Sequence, residues 1–568
     1  MASLLYSRVS SRSSCFRPLH VPLRERPAIH VGCRWASRQS SGAGGGQDYQ
    51  FQGGPQTNPE TQHFGPEHDS SSDAGHKGPS TLFKMFESAA TTVASLAMLG
   101  LAGYSYHKLY KYSVLRKMED AFRAGSEPVL ELAGTGKQAA SSVTEDDEEN
   151  AAWILREEQS RIDDIVNGSD RGHYHLLLGE KGVGKSFMLI DAIRKVDGEG
   201  IAMFDAHADL EIFRIRLGRA LNFEFNEDNI GGLFSIRGPR DTTALLDIER
   251  ACNKLEKIAL KNRRKRGKPL VLIINSLHLI RDDDDGRDLL ELLQQRAEQW
   301  AASNLVTVVL NSDDYWPYER LKQYATRMQV MPVLDLPKPH SLQALERYRS
   351  RYFDEDVPSS ILEEVYDKVG GRLTYLNRVA RSEDMLATCE DICQVEKTWF
   401  LNQVWILGEE MDDDVMDQQK FASAAMVLAK ALVDKEKEMS QTYDPERGHN
   451  LPEIPLHTAR EIMTRADFIK SYDHINIFTI DSHAMVRADS VPMMNAFREV
   501  CSIEGFDEHL EATLERISAI ESLGRTRELV AKDLWNAGQY KITMKSARGA
   551  VDRDISFEVV PGKKDEEE

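Results

Sequence analysis

At 568 residues, with 41% hydrophobic and 29% charged side chains, the chain is too long for one ordinary domain and too polar for a polytopic membrane protein. Its net charge of −20 is unevenly laid out: residues 1–117 carry thirteen Lys/Arg against seven Asp/Glu, and residues 118–568 carry 58 against 84. A body that acidic is a poor general binder of nucleic acid, because neutralising phosphates takes a cationic face. Six scattered cysteines imply no disulfide framework; the one close pair, Cys389 and Cys393, is spaced neither as a zinc knuckle nor as a redox pair.

Residues 1–47 hold seven arginines, many serines and a single acid, Glu25, the composition of a mitochondrial transit peptide; no apolar run long enough for a secretory signal is present. Residues 48–80 read as a disordered linker. Next, Ser88–Tyr106 is nineteen residues without a charge, about 28 Å as a helix against a hydrocarbon core of about 30 Å. Tyr104, Tyr106 and Tyr110 suit an interface, and Lys108, Lys111, Arg116 and Lys117 form a basic collar, so 86–107 is expected to be a single transmembrane helix. The flanking charge places the body in the matrix, whereas a presequence followed by a stop-transfer helix gives the opposite orientation. Residues 118–150 read as an acidic linker or helical region.

The strongest chemical signal follows. An apolar run at 173–178 leads into GEKGVGKS (179–186) and then a helical pattern, FMLIDAIRKV, which is the strand–loop–helix setting that a phosphate-binding loop requires. Gly179, Gly182 and Gly184 let backbone N–H groups turn inward, with Glu180, Lys181 and Val183 completing the loop; Lys185 supplies a cation for the β- and γ-phosphates, and the Ser186 hydroxyl a ligand for Mg2+. ATP and Mg2+ are the cofactors that this motif implies.

From this loop outward the chain resembles the AAA+ superfamily over about residues 150–490, in particular its origin-recognition-type and STAND-type branches. A fainter likeness, in the Gly-Gly-Arg segment, is to the mitochondrial escape protein family. The resemblance implies an opening helix with an Arg-Glu box at Arg156-Glu157-Glu158, further strands at 201–208, 268–280 (Walker B) and 305–314, a polar sensor at Asn311, an arginine finger at Arg327, and a lid sensor, Arg372, near the γ-phosphate. The expected fold is an α/β P-loop NTPase core (151–336, a parallel sheet with helices on both faces), a helical lid (337–410) and a winged-helix-like domain (411–500). A C-terminal helical pair, β-hairpin and charged tail complete it (501–568).

One departure qualifies the function. A Walker B strand ends in Asp-Glu, but here the pair is Asn275-Ser276. Asn275 still offers an acceptor to the Mg2+ shell but brings no charge, and Ser276 is no base at neutral pH, where general-base catalysis is worth ~10²–10⁴ in rate. Asp313 or Asp314 is a substitute in principle, and Asp282–Asp285 reads as a solvated loop. Binding of ATP is therefore expected, with slow or partner-stimulated hydrolysis.

The basic run KNRRKRGK (261–268) is open to RNA, DNA or anionic lipid, against a plain solvated loop. His207 and His278 lack metal-ligand spacing and read as packing residues, and Cys389 and Cys393 as buried helix residues. The stretches 418–439 and 456–472 read as helices and 475–481 with 484–490 as a hairpin, a winged-helix shape; 507–536 reads as a helical pair and 541–560 as a second hairpin. The helix at 456–472 carries Arg460, Arg465 and Lys470 against Glu461 and Asp467, too little charge for a DNA-reading helix, which favours a protein-contact or intramolecular clamp. The leading expectation is a membrane-anchored, ATP-dependent switch acting on protein partners at the inner mitochondrial membrane, able to self-associate through Arg327. The alternatives are a nucleic-acid-associated ATPase and a nucleotide-stabilised scaffold.

Overall fold

The computed structural model describes residues 81–125, 156–225, 243–406, 408, 413–445, 448–535, 539–545 and 551–558. The transit segment, the linker, most of the acidic stretch and the charged tail lie outside the described residues. The chain divides into residues 1–84 and 85–568; of the first unit only 81–84 are described, as the opening turn of helix α1 (Thr81–Asp120).

Among the described residues α1 is the one helix long and apolar enough to cross a membrane. Val93, Leu96, Met98, Leu99 and Leu101 are all exposed on it. The hydroxyls of Thr91, Thr92 and Ser95 donate to carbonyls one turn back, so the polar side chains diluting this stretch carry their own acceptors. The helix does not stop at 107. No Gly or Pro interrupts 107–120, and its last turns are buried: Val114 and Met118, then Ala121 and Phe122 beyond the helix, lie inside the globular body. Thus the start of the expected acidic linker is instead part of a core.

That core is a five-stranded parallel sheet in the order β2-β3-β4-β1-β5, formed by β1 (Tyr174–Leu178), β2 (Ile201–Asp205), β3 (Leu270–Asn275), β4 (Val306–Ser312) and β5 (Met328–Pro332). Strands β1, β3 and β4 are buried throughout, which is why they read as unbroken apolar runs. Alternate residues serve opposite faces. Leu177, Met203, Ile273 and Val309 pack with residues of α2 (Glu157–Val166) and α3 (Lys185–Lys195). Leu176, Phe204, Leu272 and Val308 join the other core cluster, with α4 (Leu210–Ala220), α5 (Ala244–Arg266), α6 (Asp284–Ser303) and the end of α1. A short helix, α7 (Trp316–Lys322), precedes β5.

The lid comprises α8 (Lys338–Phe353), α9 (Ser359–Val369), α10 (Leu373–Ala380) and α11 (Met385–Val404) around its own apolar centre. Cys389 and Cys393 both lie on α11, and burial pushes the Cys389 thiol up to about 12, so it serves as packing rather than as a nucleophile.

The C-terminal domain is a winged helix: α12 (Asp413–Glu438), β6 (Tyr443–Asp444), β7 (Gly448–His449), β8 (Ile454–Pro455), α13 (Leu456–Met463), α14 (Phe468–His474), β9 (Phe478–Ile480), β10 (Met485–Ala488) and α15 (Val491–Cys501). The helix expected over 456–472 is two helices, broken where Thr464 takes a left-handed φ of 57°. The expected hairpin is present, its turn held by Asp481 Oδ1 accepting from the backbone N–H groups of His483 and Met485, and β8 adds a third strand against β10. Ring contacts Phe400–Phe497, Phe497–Phe478 and Phe478–Tyr472, at 4.7, 5.1 and 5.7 Å, tie lid helix α11 into this core. The expected helical pair is one helix, α16 (Phe506–Trp535), in which Gly524 is tolerated because no Pro accompanies it. Strands β11 (Gln539–Lys545) and β12 (Val551–Glu558) form the terminal antiparallel hairpin.

Candidate nucleotide site

The loop 179–186 leaves the C-terminal edge of β1, between β4 and β5 in the sheet, and ends in the first turn of α3. Gly184, at φ 102°, turns the chain into the helix in a conformation that L side chains avoid. A Cβ on Gly179 would strike the Val333 carbonyl oxygen just beyond β5. Among the described residues, no backbone N–H from Glu180 to Ser186 is donated to a protein acceptor. Main-chain donors left free at a helix N-terminus form a nest suited to phosphate oxygens. The loop therefore fits a nucleotide polyphosphate.

The buried Lys185 ammonium donates to the Gly179 and Glu180 carbonyls at 2.7 and 2.8 Å and pairs with Asp313 Oδ1 at 2.8 Å. Ser186 Oγ donates to Asn275 Oδ1 at 2.9 Å, and that oxygen also accepts from Asn311 Nδ2 at 2.5 Å; Asn311 Nδ2 lies 3.2 Å from Ser186 Oγ as well. Asn275 Nδ2 in turn donates to Asp205 Oδ1 at 2.6 Å. The two residues expected at the metal, Ser186 and Asn275, and the expected sensor, Asn311, are thus in one hydrogen-bonded group, and Asn311 Oδ1 is buried without a protein partner. This oxygen-rich donor set, with a serine hydroxyl and a nearby carboxylate, is chemically suited to Mg2+.

One sequence-based assignment shifts, and the arginine-finger candidate lies away from its own loop. His278, read as a lone packing residue, joins the site: its Nδ1 accepts from the Asp313 backbone N–H at 3.1 Å and its Nε2 is 3.8 Å from Asp313 Oδ2. Asp313 is therefore held between Lys185 and His278, while its neighbour Asp314 turns to the winged helix. Arg327 is exposed at the start of β5, its carbonyl accepting from Tyr174 N–H, the first residue of β1. The strands are parallel, so it lies at the opposite sheet edge from the loop, about 17 Å away by the length of β1. It does not reach the phosphate loop of its own subunit.

Arg372 does meet the loop. Buried at the start of α10, it donates to the Lys181 carbonyl at 3.1 Å, to Asp335 Oδ1 at 2.8 Å and to Asp489 Oδ2 at 2.9 Å. Burial opposes its charge, but Asp335, Asp489 and Glu180 together hold its pKa well above the ordinary arginine value. Asp489 follows β10, and burial pushes its carboxyl up to about 6 against the pull of Arg372. From β10 itself, Arg487 forms a buried ion pair with Glu180 of the phosphate loop. Tyr315 N–H donates to Asp473 Oδ2, His474 Nδ1 lies 2.7 Å from Asp314 Oδ2, and Lys470 reaches Glu319 at 2.8 Å and Asp282 at 3.5 Å. The winged helix is therefore clasped onto the nucleotide edge of the sheet by charged pairs. Asp282, read as solvated, is one of them.

Arg156, before α2, donates to the Val183 carbonyl at 2.8 Å and to the Leu334 carbonyl at 2.9 Å, so the Arg-Glu box does border the loop. The run 261–268 lies at the surface but is largely paired: Lys261 and Lys265 hold Glu119 at 2.5 and 2.6 Å, Arg263 bonds the Ser303 carbonyl, Arg266 pairs with Glu199 and Lys268 bonds Asn167. The two lysines keep the Glu119 carboxyl below the usual range. This run fastens the end of α1 to the body.

Fold and loop together define a P-loop nucleotide-binding module with a helical lid. Residues 152–309 match the family of AAA ATPase domains, and residues 402–521 match the C-terminal winged helix domain of fungal AAA proteins. The chain thus carries an AAA ATPase domain followed by a winged helix domain like that at the C-terminus of fungal AAA proteins. Among solved structures it is similar to the Walker-type ATPase of Pyrococcus abyssi, at 14% identity over 63% of this chain and 99% of that one (TM-score 0.40). It is also similar to Cdc6p of Pyrobaculum aerophilum, at 11% over 62% and 98% (0.29), and to the RuvB Holliday junction branch migration motor of Thermotoga maritima, at 12% over 62% and 93% (0.26). No curated protein matches the chain.

Proposed function

We propose that this protein is a membrane-anchored, ATP-dependent conformational switch with slow hydrolysis, acting on protein partners at the inner mitochondrial membrane. The basic, serine-rich N-terminus supports the compartment, and the exposed apolar stretch of α1 supports the anchor. The backbone of 179–186 and Lys185 would hold ATP, with Ser186 and Asn275 toward Mg2+, which when bound would neutralise phosphate charge.

The observation that carries the switch is the clasp. Glu180 in the phosphate loop and Arg372 in the lid are both bound by winged-helix residues, Arg487 and Asp489. A γ-phosphate near Arg372 competes with Asp335 and Asp489 for the same cation, and phosphate at Lys185 competes with Asp313. Nucleotide binding and clasping are thereby linked, and a ligand shifts such an equilibrium by its differential affinity for the two states. Slow turnover follows from Asn275-Ser276, with Asp313 as the one carboxylate on Lys185 among the described residues. Arg327, exposed and remote from its own loop, is placed to serve a neighbouring copy.

The full chain in lipid nanodiscs, with a fluorophore pair on the ATPase core and the winged helix, tests this. ATP with Mg2+ should lower energy transfer, and Lys185→Ala should abolish the change. Saturable ATP binding with unchanged transfer refutes the switch.

A further inference from the structure

Strand β3 lacks the carboxylate that resemblance leads one to expect, yet a carboxylate stands one strand away. The parallel register of β2 and β3 sets Asp205 beside Asn275, both at the C-terminal edge of the sheet. Asp205 Oδ1 accepts the amide N–H of Asn275 at 2.6 Å. A carboxylate only accepts, whereas an amide both donates and accepts. Asp205 therefore fixes which way the Asn275 amide faces: Nδ2 toward the carboxylate, and Oδ1 toward Ser186 Oγ at 2.9 Å and Asn311 Nδ2 at 2.5 Å.

The charge of Asp205 is not spent elsewhere. Arg216, the nearest bonded cation, donates to the Asp205 main-chain carbonyl at 3.1 Å and not to its carboxylate. Among the described residues Asp205 has no ion-pair partner, and its second oxygen bonds no protein donor. On the far side of Asn275, Asn311 of β4 is 2% exposed with its Oδ1 unpartnered. An uncompensated carboxylate, two amide oxygens and a serine hydroxyl converge at the foot of the phosphate loop.

We propose that Asp205 supplies the carboxylate of this magnesium site from strand β2, acting through Asn275 as its positioning residue. Glutamine or asparagine in a Walker B position would by itself leave the metal shell without a negative partner; the exchange Asp-to-Asn on β3 is offset here by an acid on β2. This rests on the reading of the loop as a nucleotide site.

The test uses the full chain in nanodiscs and the non-hydrolysable analogue AMPPNP, titrated calorimetrically with Mg2+ and with EDTA. Asp205→Asn should lower affinity in Mg2+ by about 10- to 100-fold, the usual consequence of losing an outer partner of a metal ligand, and leave affinity in EDTA unchanged. Electron paramagnetic resonance of Mn2+ bound with the analogue should lose its protein-bound signal in the same variant. The exchange variant Asp205→Asn with Asn275→Asp, which moves the acid back to β3, should restore both. An unchanged Mg2+ dependence in Asp205→Asn overturns the proposal, as does an equal loss with and without metal or a failure of the exchange variant to recover. Absence of binding in the unmodified protein would instead overturn the nucleotide site itself.

Discussion

Removing Arg487 is the sharpest perturbation of the clasp. Its guanidinium and the Glu180 carboxylate are both almost excluded from water, at 11% and 3% exposure, and Glu180 Oε2 already lacks a partner. Arg487→Met keeps the bulk of the side chain but leaves Glu180 as a buried carboxylate without its ion-pair partner. Breaking one side of a buried pair costs about 3–5 kcal/mol, and at 1.4 kcal/mol per decade that is roughly 10² to 4 × 10³-fold in the closed-to-open ratio. The apolar core that the winged helix shares with Leu178, Tyr315 and Phe400 does not include Arg487, so the loss should fall on the charged contact and not on folding of the domain. Hydrogen exchange reads this directly: amides of β10 and of the phosphate loop should exchange roughly 10² to 4 × 10³-fold faster, while those of β3 and β4 keep their protection. Adding Glu180→Gln should return much of the protection, since no buried charge then remains unpaired. Unchanged exchange at β10 in Arg487→Met, or equal acceleration across β3 and β4, would refute the clasp as a separable device.

The same junction has a pH dependence with a defined sign. His474 is raised by its bond to Asp314, with Lys181 opposing, and burial raises Asp473 and Asp489, the latter from 3.8 to about 6. Groups whose pKa is higher in the closed state stabilise it fully below their free values and lose that contribution as pH rises through the raised ones. Docking should therefore loosen between about pH 4 and 6 through Asp489 and above the ordinary histidine value through His474; His474→Gln should remove the upper part in a fluorescence-transfer titration, and tightening on alkalisation would contradict it. Phe122→Ala, at a side chain 3% exposed, should cost about 3–5 kcal/mol and admit protease near residues 118–125; a cleavage pattern like that of the unmodified protein would show that the end of α1 is not anchored by this core. Arg327→Ala should leave AMPPNP affinity intact but abolish analogue-promoted oligomers in sedimentation experiments, and weakened binding by monomers would place the arginine in its own subunit's site.

The parts of this architecture that were legible in the sequence are those written locally. The glycine loop, the buried runs of β1, β3 and β4 and the uncharged stretch of α1 each carry their signal within about twenty residues. What escaped was assembled over distance. Arg487 and Glu180 are separated by 307 positions and Arg372 and Asp489 by 117, so no spacing rule connects them. Asp205 was findable in principle: once β2 and β3 are taken as parallel neighbours with matched ends, their last residues must face each other. The run 261–268 misled in the opposite direction, because its acidic partner Glu119 lies 142 positions earlier, at the start of a segment that reads as a linker.

The pairing of distant charges also bears on why the two domains are joined as they are. A permanent junction is most simply built from apolar side chains, as between α11 and the winged-helix aromatics. At the nucleotide edge the chain instead uses Arg372, Arg487, Glu180, Asp335 and Asp489, whose desolvation nearly offsets their mutual attraction. A junction of that kind holds one geometry with little net free energy, so a competing anion of comparable charge is enough to exchange partners. Phosphate oxygens arriving at Lys185 and Arg372 are such an anion. In the switch proposed above, these charged pairs at the nucleotide edge are the contacts that exchange, while the apolar packing against lid helix α11 keeps the winged helix attached.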